Sequence, residues 1–284
     1  MPQTLKLIND AVFKIFFSKG EGVVFLRQFL TAVLDCEEDE LKEITIKNPN
    51  ISKEQVRDKD IILDILIETK NKEQVHLEIQ ISEHANFTER IMYYNSRLIT
   101  SQLEKGENFE NLKKSITIVI TDFAIFKQPK DKSKFHRIFY WYDGEEKLTD
   151  IVAIHTIELP RLPENVDKDK DFWFELFKAK TEKDFDQVAR RSRIMTKAVQ
   201  RLRDVSADDE VRALAQERED ARRIGNAIKK LHWDRGKEEG IKEGKEERNI
   251  EIAKKMLIEN SEIDFIRSIT GLSEKEILEI QSEL

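Results

Sequence analysis

Two apolar runs separated by a short polar turn constrain the fold of this chain more than any other feature. Residues 60–68 read Asp-Ile-Ile-Leu-Asp-Ile-Leu-Ile-Glu, and residues 74–82 read Gln-Val-His-Leu-Glu-Ile-Gln-Ile-Ser. Both are rich in strand formers, and Lys70-Asn71-Lys72 lies between them, so a β-hairpin is expected. Side chains alternate along a strand. Ile61, Leu63, Ile65 and Ile67 then share one face, and Ile62, Asp64, Leu66 and Glu68 the other. In the second run Val75, Leu77, Ile79 and Ile81 oppose His76, Glu78, Gln80 and Ser82. Folding about Asn71 sets Glu68 opposite Gln74, Leu66 opposite His76 and Asp64 opposite Glu78. The apolar faces coincide in this register, although a slip of one or two residues stays open.

The register has a chemical consequence. Asp64 and Glu78 become cross-strand neighbours with Cβ atoms ~5 Å apart, and like charges so placed destabilise a sheet. Either one carboxyl keeps its proton or a cation lies between them. Mg²⁺ suits such a place, because it takes hard oxygen ligands and uses one or two carboxylates plus waters and substrate phosphate. The Ile79 carbonyl is a further candidate ligand. Gln80 returns to the same face; it is no base, but its amide can orient a water. On spacing alone a solvent-facing Asp64 on an edge strand remains the competing reading.

The hairpin sits within an alternation of helices and strands. Phe13, Phe16, Phe17, Val24, Leu26, Phe29, Leu30 and Leu34 recur at helical steps through residues 8–35, with Gly20 and Gly22 breaking the run into two helices. A short strand is expected at 43–47, a long helix at 84–104, and further strands at 115–122, 135–142 and 151–158. This order argues for an α/β core, a mixed central sheet flanked by helices. Pro160 and Pro163 mark its end, giving expected divisions at 1–165 for the core, 166–205 for a helical segment docking through Phe172, Trp173, Phe174, Leu176 and Phe177, and 206–284 for a charged helical extension.

Charged residues make up 37% of the 284, concentrated in that extension. Gly236, Gly240 and Gly244 fall on one helix face there. That stripe suits either a helix through which copies of the chain associate or a solvated charged helix. Ser261 with Asp264, and Ser273 with Glu276, have the spacing of helix N-termini, and Gly271 suits a helix stop, so helices are expected at 262–270 and 274–283. The pair reads as a capping bundle, with a helix-turn-helix-like tail as the alternative.

A net charge of -7 argues against a protein that coats nucleic acid nonspecifically, since phosphate contacts need Lys and Arg. It leaves a metal-dependent nuclease open, because a carboxylate cluster with bound Mg²⁺ reverses its local sign. Cys36 is the only cysteine, so no intramolecular disulfide can form. The opening residues lack the apolar stretch of a secretion signal, and no run approaches the ~20 apolar residues of a membrane span. A cytoplasmic protein with no membrane partner is the expectation.

Several segments taken together resemble a known family. Asn9 to Phe17, Asp58 to Asp64, Glu78-Ile79-Gln80 followed by a helix bearing Arg90 and Tyr93-Tyr94, Ile157-Glu158-Leu159-Pro160, the glycine-spaced charged helix, and Ile266 to Ile277 with Thr270-Gly271-Leu272-Ser273 are similar to the PD-(D/E)XK nucleases, and more narrowly to the Rpn-type recombination-promoting nucleases, also called PD-(D/E)XK family transposases. The resemblance implies a restriction-endonuclease-like core and a Mg²⁺- or Mn²⁺-dependent endonuclease that cuts DNA and promotes recombination or transposition. By position it makes Asp64, Glu78 and Gln80 the catalytic residues and Asp64, Glu78 and Ile79 the metal ligands. Gln80 stands where lysine is usual, and Leu63, not proline, precedes Asp64. The first departure removes a positive charge beside the attacked phosphate.

Five further residues are secondary candidates. Asp10 matches an acidic residue of the family's first helix, while Asn9 or Asp10 equally suits an N-cap. Lys14 reads as a surface lysine, with a phosphate contact as the alternative. Asp60 is a further acid for the site or a strand-start residue. Arg90 and Tyr94 share a helix face with Arg97; they contact DNA backbone, or Tyr94 packs while the arginines pair with acids. His76 reads as a packing or surface residue. The rival function is a non-catalytic DNA-binding or oligomeric assembly protein on a nuclease scaffold, favoured by Gln80 and the negative charge.

Overall fold

The computed structural model describes residues 3–18, 20–47, 65–83, 86–128, 130–164, 166 and 168–284. Asp58, Asp60 and Asp64, with the rest of 48–64, lie outside the described residues. So does the first half of the expected 60–68 strand.

Two helices open the chain, α1 (Asp10–Ser18) and α2 (Glu21–Leu34). Asn9 caps the first, its Oδ1 accepting from the backbone N–H groups of Ala11 and Val12. Gly20 separates the two with φ 56°, a left-handed value that favours glycine. Gly22 does not break the run as expected; it sits inside α2. A Cβ there would lie 2.2 Å from the Phe16 carbonyl oxygen and 2.7 Å from Arg201 Nη2, so its role is close packing.

A six-stranded mixed sheet follows: β1 (Ile44–Ile46), β2 (Ile65–Thr69), β3 (Gln74–Gln80), β4 (Ser115–Thr121), β5 (His136–Tyr142) and β6 (Lys147–Glu158), in the order β1-β2-β3-β4-β6-β5. β3, β4 and β6 run parallel at its centre; the other neighbours are antiparallel. The helix α3 (Phe87–Thr100) is shorter than the expected 84–104 and supplies the β3–β4 crossover. The sheet has two different faces. Ile65, Ile67, Val75, Leu77, Ile79, Ile116, Ile118, Ile120, Ala153 and Ile157 join the main core with α1 and α2. On the opposite face Val119 and Ile154 pack with Phe87 and Ile91 of α3.

Three further helices, α4 (Phe172–Lys178), α5 (Glu182–Ala189) and α6 (Arg193–Ala207), complete that core. Phe172, Trp173, Phe174, Leu176 and Phe177 are all buried in it. Phe29 and Phe177 meet edge to face at 5.4 Å between ring centroids. Each such fully buried ring contributes about 1.5–3 kcal/mol relative to exposure. A Thr181–Asp184 capping box starts α5, and Ser192 caps α6.

The long helix α7 (Asp209–Ile258) begins in the same compact unit, which spans Met1–Asp220 and so contains the expected divisions at 165 and 205. Val211 and Ala215 are buried in the main core. Ala221–Leu284 forms the second unit. There Ala253 of α7 packs with Ile266 of α8 (Ile263–Thr270) and with Ile277 and Ile280 of α9 (Glu274–Ser282). Ser273 and Glu276 form the expected capping box, and Gly271 ends α8 at φ 72°. Glu262, not Ser261, precedes α8, and it makes no side-chain cap. No described atom lies within 4 Å of a Cβ built at Gly236, Gly240 or Gly244. No helix among the described residues is long and apolar enough to cross a membrane.

Candidate active site

β3 carries the candidate site because it is a central strand whose two faces differ. Its ladder with β2 pairs Ile65 with Leu77, Leu66 with His76, Ile67 with Val75 and Glu68 with Gln74. This is the register that the alternation of apolar residues calls for, with no slip. On the other side Glu78 lies beside Val119, and Gln80 beside Thr121. Leu77 and Ile79 enter the main core, so His76, Glu78 and Gln80 face α3.

The sequence of α3 fixes which of its residues meet that face. Phe87, Ile91, Asn95 and Leu98 are its buried stripe. Asn95 Nδ2 donates to Thr117 Oγ1 at 2.9 Å and to the Ser115 carbonyl at 3.4 Å. With that rotation set, Arg90 reaches β3. Its Nη2 donates to Glu78 Oε1 at 2.7 Å and to Gln80 Oε1 at 2.6 Å. Gln80 Nε2 donates to the Ser82 carbonyl at 2.9 Å, so both ends of this amide are engaged. The guanidinium lies 5.6 Å from the Phe87 ring centroid and 5.9 Å from that of Tyr94. Glu78 is nearly buried, its side chain 10% exposed against 31% for Arg90. A cation held at a partly dehydrated carboxylate interacts more strongly than a surface pair.

His76 is buried behind this pair, edge-on to Tyr94 at 6.1 Å between ring centroids. Neither ring nitrogen has a hydrogen-bond partner among the described residues. Burial, and then the charges of Arg90 and Lys14, push its pKa down to about 3. It is a neutral packing residue. Tyr94 packs, and Arg90 pairs with an acid, which was one of the two readings open for this helix face. Lys14 is buried, contrary to the expected surface position, because α1 turns it inward with its phenylalanines. Asp10 is in an ion pair with Arg218 of α7 at 3.3 Å, and Asn9 Nδ2 donates to the Ala215 carbonyl.

In the sequence Glu158 stands out only as part of Ile157-Glu158-Leu159-Pro160. It is a charge centre, 0% exposed at the end of β6 and next to Thr121. Its Oε1 accepts from the N–H groups of Ile125 and Phe126. Its Oε2 lies 2.6 Å from Arg137 Nη1 and 3.1 Å from Arg161 Nε. An acid ending a β-branched strand, with arginines three residues later and on the preceding strand, was the available signal.

A divalent ion is what the family pattern implies here, and the described half of the site fits it. Glu78 offers a hard carboxylate from a rigid central strand, and Arg90 occupies one of its oxygens in this structure. Among the described residues there is no cluster of three or more metal-ligating side chains; Asp64 lies outside them.

A mixed sheet with a Glu-x-Gln strand at its centre, backed by a helix that sends an arginine onto it, defines a restriction-endonuclease-like α/β protein. The chain belongs to the PD-(D/E)XK nuclease family transposases, whose family model matches residues 7–229. Membership supports nuclease-type activity. The chain matches no curated protein and no solved structure.

Proposed function

We propose that the protein is a Mg²⁺-dependent DNA endonuclease, with Mn²⁺ as the alternative ion, acting in recombination or transposition in the cytoplasm. One observation supports the reading: the four β2–β3 pairs keep the register in which the sequence sets Asp64, which lies outside the described residues, opposite Glu78. In this reading Asp64, Glu78 and the Ile79 carbonyl would hold the ion. Such an ion polarises a phosphate oxygen and acidifies a bound water.

The chain's own residues supply the rest. Gln80, its amide orientation set by Arg90 and Ser82, accepts a hydrogen bond from the attacking water and aims it. Arg90 supplies the positive charge that lysine would bring at position 80, since its guanidinium already touches the Gln80 side chain. It balances Glu78 and faces the phosphate as negative charge develops. Tyr94 and Phe87 hold the guanidinium plane in place.

Cutting of supercoiled plasmid with Mg²⁺, compared with Asp64→Asn and Glu78→Ala, tests the reading. Loss of cutting with the fold intact is the expected result. Unchanged cutting by the double variant removes this site from the chemistry.

A second reading, a non-catalytic DNA-binding protein on the same scaffold, is favoured by Arg90 itself, which already compensates the carboxylate. DNA retardation without nicking in either Mg²⁺ or Mn²⁺ would select it. Association of copies through the α7 glycine stripe is also proposed; light scattering of the full chain, against leucine substitutions at Gly236, Gly240 and Gly244, tests it.

A further inference from the structure

The loop leaving β4 is rich in lysine in a chain that is acidic overall. Between residues 127 and 137 stand Lys127, Lys130, Lys132, Lys134 and Arg137 against a single acid, Asp131. Asp131 is itself engaged, its Oδ1 accepting from the Ser133 N–H and hydroxyl. Lys130, Lys132 and Lys134 are exposed, and none is in an ion pair among the described residues.

The described backbone of this loop is held at the Phe126, Asp131 and Lys132 carbonyls. The buried Glu158 carboxylate holds the N–H groups of Ile125 and Phe126 and both nearby arginines. Those arginines turn outward to the loop's carbonyls. Arg161 donates to the Phe126 oxygen at 2.6 Å and to the Lys132 oxygen at 3.3 Å, and Arg137 donates to the Asp131 oxygen at 2.7 Å. The Phe126 ring lies under Arg137 at 5.1 Å and stacks on Phe139 at 5.6 Å.

The loop also adjoins the candidate site. Its first residue, Asp122, donates from its backbone N–H to the Gln80 carbonyl at 3.1 Å. Lys127 Nζ lies 2.8 Å from Glu83, in the segment that follows β3. This is the end of the sheet where the parallel strands deliver their C-termini, the usual place for ligands in open α/β sheets.

We propose that the stretch 130–134 of this loop is the surface on which the phosphodiester backbone of duplex DNA docks beside Glu78, with Lys130, Lys132 and Lys134 as the contacting cations. The inference rests on the nuclease reading and deepens it by naming where the substrate lies. Closely spaced phosphates match three exposed ammonium groups on a backbone held at the Asp131 and Lys132 carbonyls. Prior ordering of the loop removes part of the entropic cost of docking. A net charge of -7 leaves such a local patch as the means of holding a polyanion.

The test is the salt dependence of binding, with full-length protein and a fluorescent duplex oligonucleotide in EDTA. Each phosphate neutralised contributes about 0.9 to the slope of log affinity against log salt. The Lys130→Gln/Lys132→Gln/Lys134→Gln variant is expected to flatten that slope by about 2–3 relative to wild type. A control with equal charge loss, Lys105→Gln/Lys180→Gln/Lys183→Gln, is expected to keep the wild-type slope. Duplex binding by wild type with the same slope in the loop variant overturns the docking surface and leaves the nuclease reading standing. An equal flattening in the control also overturns it, since net charge then accounts for the effect. A wild-type protein that neither binds nor cuts duplex overturns both. Loop-dependent binding to phosphatidylglycerol vesicles, without duplex binding, assigns the lysines to a lipid surface and overturns the proposal.

Discussion

Arg90 Nη2 stands 2.7 Å from Glu78 Oε1 and 2.6 Å from Gln80 Oε1, so one cation from α3 ties together the two polar side chains of the Glu-x-Gln strand. In the proposed site the helix thereby supplies the positive charge that a lysine at position 80 would bring.

This contact predicts opposite effects on metal binding and on cutting. In the proposed metal site Arg90 would compete with the divalent ion for the Glu78 carboxylate, so Arg90→Ala is expected to raise Mg²⁺ affinity, by about tenfold if the competition is worth about 1.4 kcal/mol. The same variant is expected to cut plasmid at least about tenfold more slowly, and Arg90→Lys to recover part of the loss. Calorimetric titration and a nicking assay read the two effects. A fall in metal affinity on losing Arg90 contradicts the assignment.

Loss of the Glu158 carboxylate should destabilise the first compact unit. Its carboxylate is fully buried, and the side chains of Arg137 and Arg161 are only 12% and 14% exposed. Glu158→Gln leaves two nearly buried guanidinium groups without their anion and is expected to cost about 3–5 kcal/mol. Urea unfolding followed by circular dichroism measures it, and a loss below about 1 kcal/mol would show that solvent already compensates the arginines.

Gly22→Ala should act against helix propensity. Alanine normally stabilises a helix interior by about 1 kcal/mol over glycine. Here the new methyl would lie 2.2 Å from the Phe16 carbonyl oxygen, where Arg201 Nε also donates at 2.8 Å. Separation of α1 and α2 and loss of that hydrogen bond are expected to cost about 1–3 kcal/mol. A higher melting temperature would refute the close approach.

His136 and His155 are expected to make stability fall in mild acid. His136 Nε2 and His155 Nδ1 are 3.0 Å apart beside the Phe174 ring. Burial, with Lys170 and Lys134 outweighing Asp35, lowers the His136 pKa to about 4. Burial, with His136 and Lys114, lowers that of His155 to about 3. Both folded-state values lie below the unfolded value of about 6.5, so the unfolded chain takes up protons first. Stability is therefore fully present above pH 6.5 and declines as pH falls toward 4, by up to about 2 kcal/mol per histidine at pH 5. Imidazole NMR signals of both residues should stay neutral down to pH 5 while urea midpoints fall. A midpoint near 6.5 for either ring sinks this account.

What the sequence determined by itself was largely periodic. Alternation in 74–82 set which residues of β3 face the core, and the matching alternation in β2 set the register, because a one-residue slip would turn every apolar side chain outward. Helical spacing likewise located α1 and α2, and the Ser273–Glu276 capping box marked the start of α9. The tertiary structure decided what periodicity does not encode. Packing of Ile91 and Asn95 on β4 chose the rotation that aims Arg90 at Glu78 rather than at solvent. Burial of Lys14 and Glu158, and of Gly22 against Phe16, depended on partners up to about 185 residues away in the chain. Local pattern carries the direction of a side chain, whereas charge pairing and close approach are properties of which surfaces finally meet.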